Sequence, residues 1–172
     1  MANKKILLGI LIVLVFGFTF VGCDNGTTSD TWSDVTSLSQ LNGTWVGTMS
    51  FTETDEEMNM SQKYDFEFTF TINASAGTMS EIWKSTITFS GEDMDELWPY
   101  IKEGFEDDEE DEEDIVYTFD DEKYSVTMTQ TIPAQPVTLA DLGAIQINKK
   151  GDKIKISDPE DDFFDDMIFT KR

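Results

Sequence analysis

From Tyr64 to Asn73 the chain alternates without interruption, with Tyr64, Phe66, Phe68, Phe70 and Ile72 on one side and Asp65, Glu67, Thr69, Thr71 and Asn73 on the other. Successive side chains of a strand point to opposite faces, so this run predicts a β-strand with one buried face and one wet face. The same period puts Trp45, Gly47, Met49 and Phe51 on one face of a strand starting at Gly43. It also puts Met79, Trp83, Ile87 and Phe89 on one face of a later strand, with Ala76-Gly77 as the hairpin turn between that strand and its predecessor. Further strands are predicted at Ile115 to Phe119 and at Tyr124 to Ile132, where Tyr124, Val126, Met128 and Ile132 face one way. Ala144 to Asn148, Lys153 to Ser157 and Met167 to Thr170 complete a set of eight, with a tight Lys150-Gly151-Asp152 turn joining the first two of these.

One stretch has a different period. Met94, Leu97, Ile101 and Phe105 recur at helical spacing within Gly91 to Phe105, although Pro99 disfavours helix at Trp98 and two short turns are the alternative. No repeat of fixed period is present. The expected fold is therefore all-β, an eight-stranded antiparallel up-and-down barrel with one short helical insertion. Closure removes exposed sheet edges, while a two-sheet sandwich buries the same faces as the alternative.

The N-terminus carries a different kind of signal. Lys4 and Lys5 precede an apolar run from Ile6 to Val21, which ends at Gly22 and Cys23. This is the charged, apolar and small-residue succession of an export signal. A retained membrane helix needs about 20 predominantly apolar residues. This run is shorter, contains Gly9 and Gly17, and is followed by polar residues instead of a basic stop. Cys23 is the only cysteine, so it has no partner for an intramolecular disulfide.

Phe20-Val21-Gly22-Cys23 resembles the lipobox of bacterial lipoproteins, with Phe20 in place of the usual Leu. The resemblance implies cleavage after Gly22, a diacylglycerol thioether on Cys23 and an acylated amine, and two or three acyl chains anchor stably where one does not. It also implies a bacterial envelope location, at the outer membrane or cell surface in preference to the inner membrane. The domain reading is a signal peptide over 1–22, a lipidated N-terminus and flexible tether over 23–40, and a folded domain over 41–172. Asp24 to Ser39 is polar and has no apolar period, and Trp32 is its one bulky aromatic.

Loss of residues 1–22 removes two lysines and no acid, which leaves ten basic residues against 35 acidic ones and a net charge of −25. This balance argues against recognition of nucleic acid or anionic lipid through basic patches, which need clustered Lys and Arg. Nine consecutive acids, Glu106 to Asp114, form a block that repels itself. Calcium takes several oxygen ligands, but the block lacks the Gly and spaced Asp of a dedicated calcium loop, and a solvated loop is the preferred reading. No metal site and no cofactor are assigned.

Leu41-Asn42-Gly43-Thr44-Trp45 resembles the opening of lipocalin-like (calycin-type) domains, whose first strand carries Gly-x-Trp. The resemblance implies an eight-stranded barrel plugged at one end by Trp45, with Lys171 or the terminal Arg172 over the indole. The helical segment and acidic block between the third and fourth β-runs are departures from a compact member.

Two functions of different kinds follow. In the first, the barrel binds a small apolar or aromatic ligand among Phe66, Phe68, Phe70, Trp83, Tyr117 and Tyr124, with Glu81 and Gln130 as orienting polar groups. The same aromatics fill a solid core equally well. In the second, an acidic surface meets a cationic protein and the fold is only a scaffold. Catalysis is disfavoured: the chain has no histidine and commits its one cysteine to lipid, and with 35 acids a pair of carboxylates means nothing by itself.

Overall fold

The computed structural model describes residues 31–55, 59–109, 115–157 and 167–172, with the side chains of 106–109 and 157 left out. The expected signal peptide, Cys23, the first part of the tether and the acids 110–114 lie outside the described residues. The elements are β1 (Trp32–Asp34), β2 (Gly43–Asp55), β3 (Met60–Asn73), β4 (Thr78–Gly91), α1 (Met94–Glu109), β5 (Ile115–Asp120), β6 (Ser125–Pro136), β7 (Ala144–Asn148), β8 (Lys153–Ser157) and β9 (Ile168–Lys171).

All the strands join one antiparallel sheet in the order β1-β7-β8-β9-β2-β3-β4-β6-β5. Long, unbroken alternation gives β2, β3 and β4 their 13 or 14 residues, so each spans about 45 Å. Their register brings the predicted inward residues into rows. Gly47 lies opposite Phe68, Phe68 opposite Trp83, Trp83 opposite Gln130, and Gln130 opposite Ile115. The row below runs from Met49 through Phe66, Ser85 and Met128 to Tyr117. Gly77 and Gly151 take positive φ at the two expected turns, at 63° and 74°, a region that glycine enters without steric cost.

The expected closed eight-stranded barrel is corrected in three respects. The sheet has nine strands, and its terminal strands β1 and β5 do not pair with each other, so it is open. It is also not a simple up-and-down meander. The chain leaves β4 through α1 and returns as β5 on the far side of β6, so β4 and β6 are the neighbours. The physical reason is that the apolar face is covered without closure. Over one half, β7 to β9 curl back and pack Ile145, Ile147, Ile154 and Phe169 with Trp45, Phe68 and Ile72. Over the other, α1 lays Met94 and Trp98 on Tyr64, Ile87, Phe89 and Val126.

α1 is one helix through Pro99, not two turns. Proline removes the N–H that would bond to Asp95 four residues back. Trp98 offsets that loss: it is buried, and its indole N–H donates to Asp121 at 2.7 Å. The helix also continues past Phe105 to Glu109, so the first four acids of the block expected as loop are helical backbone.

The tether is shorter than its composition suggests. β1 pairs with β7, Val35 and Leu41 are buried, and the amides of Thr36 and Ser37 both donate to the Gln40 side chain, at 2.8 and 3.0 Å. Residues from Thr31 onward therefore belong to the fold. Polar composition hid them because β1 gains its stability from backbone pairing to a partner more than 100 residues away.

Candidate functional site

The Gly-x-Trp residues sit at one end of the sheet. Trp45 is fully buried and donates its indole N–H to the Leu41 carbonyl at 2.7 Å, so its one polar atom is satisfied. Lys171 lies opposite Trp45 across β2 and β9, with Nζ 5.2 Å from the ring centroid. Gly43, at φ 126°, makes this possible, because a Cβ there would meet Lys171 Cε at 2.8 Å. The lysine stem crosses the space that a side chain at 43 would fill. Arg172 does not cover the indole. Alternation turns it to the other side of the chain end, where its guanidinium meets Glu67 at 3.5 Å.

Seven of the eight candidate ligand residues lie on strands and Tyr124 in a turn; most pack on neighbouring rings or hydrogen-bond to neighbours, although Trp83 stays partly exposed. Phe51, Tyr64, Phe66 and Phe68 form a stacked run, with neighbouring centroids 4.8 to 6.4 Å apart. Phe68 meets Trp83 edge to face at 5.4 Å, and Phe70 meets Phe169 at 5.0 Å. Tyr117 packs on Phe105 from α1. Glu81 accepts from the Trp83 indole at 2.7 Å, and Gln130 lies opposite Trp83, half-buried. Tyr124 departs from its expected strand position. It takes φ 49° in the turn before β6 and donates its hydroxyl to Asp95 at the start of α1, which raises its phenol pKa. Burial, followed by the nearby Glu53, likewise raises the Tyr64 phenol.

Among the described residues, two hollows bear on the candidate residues. One of about 360 Å³ lies against the outer face of β2, β3 and β4, lined by Thr48, Ser50, Asp65, Glu67, Lys84 and Thr86, with Met49 and Phe66 behind. The other, of about 200 Å³, is lined by Met79, Glu81, Ile132, Pro136, Val137 and Leu142 among others. Phe66 borders the first and Glu81 the second. The other six candidate ligand residues border neither. The outer face is a hydroxyl surface, with cross-strand bonds between Thr44 and Thr71 and between Thr86 and Thr127, each at 2.9 Å. Hydrogen bonds from Lys63 and then Ser50 hold the Asp65 carboxyl below its usual range.

Charge is distributed unevenly over the folded domain. Six of the twelve Lys and Arg residues of the sequence, Lys149, Lys150, Lys153, Lys155, Lys171 and Arg172, fall in its last 24 positions. The fold gathers them on β7 to β9 and the turn between β7 and β8. Reading the total charge missed this cluster, and the position of the lysines along the chain was the signal that would have found it. Among the four other basic residues of the described chain, Lys63 pairs with Asp65, Lys102 with Asp121 and Lys123 with Asp120, all within 2.9 Å. Among the described residues no group of three or more His, Cys, Asp or Glu is placed to hold a metal ion. No helix among them is long and apolar enough to cross a membrane.

No protein-family model matches the chain, and neither a curated protein nor a solved structure matches it.

Proposed function

We propose that the chain is a bacterial envelope lipoprotein, anchored through Cys23, whose β-domain works as a binding module through its surface. The observation that carries this reading is the occupation of the inner face. The aromatics of β3 and β4 pack on one another, Phe89 of β4 packs on Trp98 and Phe105 of α1, and the polar group best placed to orient a ligand, Glu81, already accepts from Trp83. The partner is a cationic protein or peptide. Away from β7 to β9 the body carries few basic residues and most of these are in ion pairs, so a positive partner meets a nearly uniform negative field. Gly43, Trp45 and Lys171 support kinship with lipocalin-like domains, of which this sheet is an opened relative.

A second reading, small-ligand binding, draws on the hollow of about 360 Å³, a volume within the range of ligand pockets. Two measurements separate the readings. Titration with oligolysine is expected to give saturable binding that weakens steeply with salt, because exposed charges are screened. A neutral apolar dye such as N-phenyl-1-naphthylamine is expected to show no saturable enhancement. Dye binding that Thr86→Trp abolishes by filling that hollow, without oligolysine binding, would overturn the surface reading. The anchor is tested separately by metabolic labelling with palmitate: the parent is expected to label and Cys23→Ser to lose the label, and continued labelling of the variant removes Cys23 as the attachment point.

A further inference from the structure

The basic end of the sheet is also the end at which the chain arrives from Cys23. Thr31, the first described residue, accepts at its carbonyl from the Lys149 amide at 3.1 Å, and Trp32 lies opposite Asn148. Only seven residues, and so eight Cα–Cα steps, separate Cys23 from Thr31. Even fully extended, eight such steps reach no more than about 29 Å. An anchor at Cys23 therefore holds the turn between β7 and β8 close to the lipid surface.

The chemistry of that turn suits an anionic surface. Lys149 and Lys150 are exposed at its tip, and among the described residues neither makes an ion pair. Lys153 and Lys155 flank the buried Ile154 and so point outward, and Lys155 Nζ lies 4.8 Å from the Trp32 ring centroid on that outer face. Lys171 and Arg172 end the adjacent strand, where the Lys171 amide donates to the Asp152 carbonyl at 2.8 Å. Among the described residues the acids beside this cluster are fewer than its six cations: Asp152, which accepts from Asn148, Asp34, which accepts from Gln146, and Glu67, which pairs with Arg172. The acid-rich connection from β8 to β9 departs at Ser157, five strand residues from the turn. That point of departure is about 16 Å from the turn that carries Lys149 and Lys150, while Lys155 lies two residues from it.

We propose that this basic end, Lys149, Lys150, Lys153, Lys155, Lys171 and Arg172 around Trp32, docks on the anionic headgroups of the membrane that holds the chain. Docking then turns the acidic remainder of the domain away from the bilayer. The proposal rests on the anchor reading of Cys23 and adds an orientation to it. It also reverses the expectation from net charge that anionic lipid is excluded, because a local cluster and not the total decides the field within a Debye length.

The test uses the lipoprotein purified from membranes and mixed with vesicles of phosphatidylcholine alone or with 30 mol% phosphatidylglycerol. Some phospholipids carry brominated acyl chains that quench nearby tryptophan, and Trp32→Phe identifies the contribution of Trp32. Trp32 is expected to be quenched in the anionic vesicles, to be relieved by 0.5 M NaCl, and to be unquenched in phosphatidylcholine. Each lysine near an anionic surface contributes roughly a fivefold preference, so Lys149→Gln with Lys150→Gln should shift the docked-to-free ratio roughly 25-fold toward free. Quenching that is equal in both vesicle types, or indifferent to the lysine replacements, overturns docking and leaves an acidic protein or nucleic acid as the occupant of the patch. Flotation separates this from failure of the anchor. A chain that does not float with phosphatidylcholine has lost the anchor reading, but docking still stands if it floats with anionic vesicles in a lysine-dependent way. Flotation with neither overturns both.

Discussion

Gly47 shows how a single missing side chain shapes this fold. It faces inward between Trp45 and Met49, and a Cβ built on it would lie 2.7 Å from two ring carbons of Phe169 and 2.9 Å from the Met167 sulfur. Phe169 is almost fully buried, so its ring has nowhere to move. Gly47→Ala is therefore expected to lose about 1 to 3 kcal/mol of stability by overpacking, measured as a lower urea midpoint. An unchanged midpoint would mean that β9 does not press on β2. At this scale the sequence was partly legible. Gly43 and Trp45 stood out as a pair, but which of two adjacent terminal cations reaches the indole depended on the register of β9. Only the pairing of Trp45 with Lys171 decides that. Period two groups the strand aromatics Phe66, Phe68, Phe70, Trp83 and Tyr117, but a one-dimensional pattern does not distinguish a ring that awaits a ligand from one that stacks on its neighbour.

Among the elements, strands with long alternation were readable, and those supported by distant pairing or capping were not. β3 and β4 announced themselves through period two, whereas the three residues of β1 carry almost no apolar signal and depend on β7. α1 was legible as a helix but not as a continuous one, since local rules at Pro99 could not anticipate the docking of Trp98 beside Asp121. That contact makes a prediction about pH. Hydrogen bonds from the Trp98 indole, and secondly from Lys102, lower the Asp121 carboxyl below its ordinary value of 3.8. The folded state thus favours the charged form more than the unfolded chain does, and the resulting stabilisation is complete above that value. It fades as pH falls through the depressed pKa of the folded state. Asp121→Asn is expected to flatten this acid limb in a series of urea melts from pH 5 downward, with α1 monitored by circular dichroism. Parallel acid limbs in parent and variant would show that Asp121 does not hold the helix.

For the molecule as a whole, two separate covers share one long spine. The curl of β7 to β9 and the helix α1 bury different halves of the inner face, and no buried residue belongs to both clusters. Two cores of this kind could open independently, as local units of low stability do. Several features argue against it here. β2, β3 and β4 each run the full length under both covers, and Phe66 packs against both clusters. Its ring stacks on Tyr64 in one and Phe68 in the other, at 6.4 and 6.1 Å. Exposing either half strips apolar surface from the same three strands, and their ladder bonds then lose the cover that excludes water. We expect the spine to open as one unit. Native-state hydrogen exchange at rising sub-denaturing urea should give the amides flanking Tyr64 and those flanking Ile72 in β3 one common opening free energy with one urea dependence. The terminal strands β1 and β5, each bonded on one side only, should exchange from shallower openings. Two distinct plateaus within β3 would mean that the helix-covered and strand-covered halves are separate folding units, joined by continuous backbone but not by shared packing.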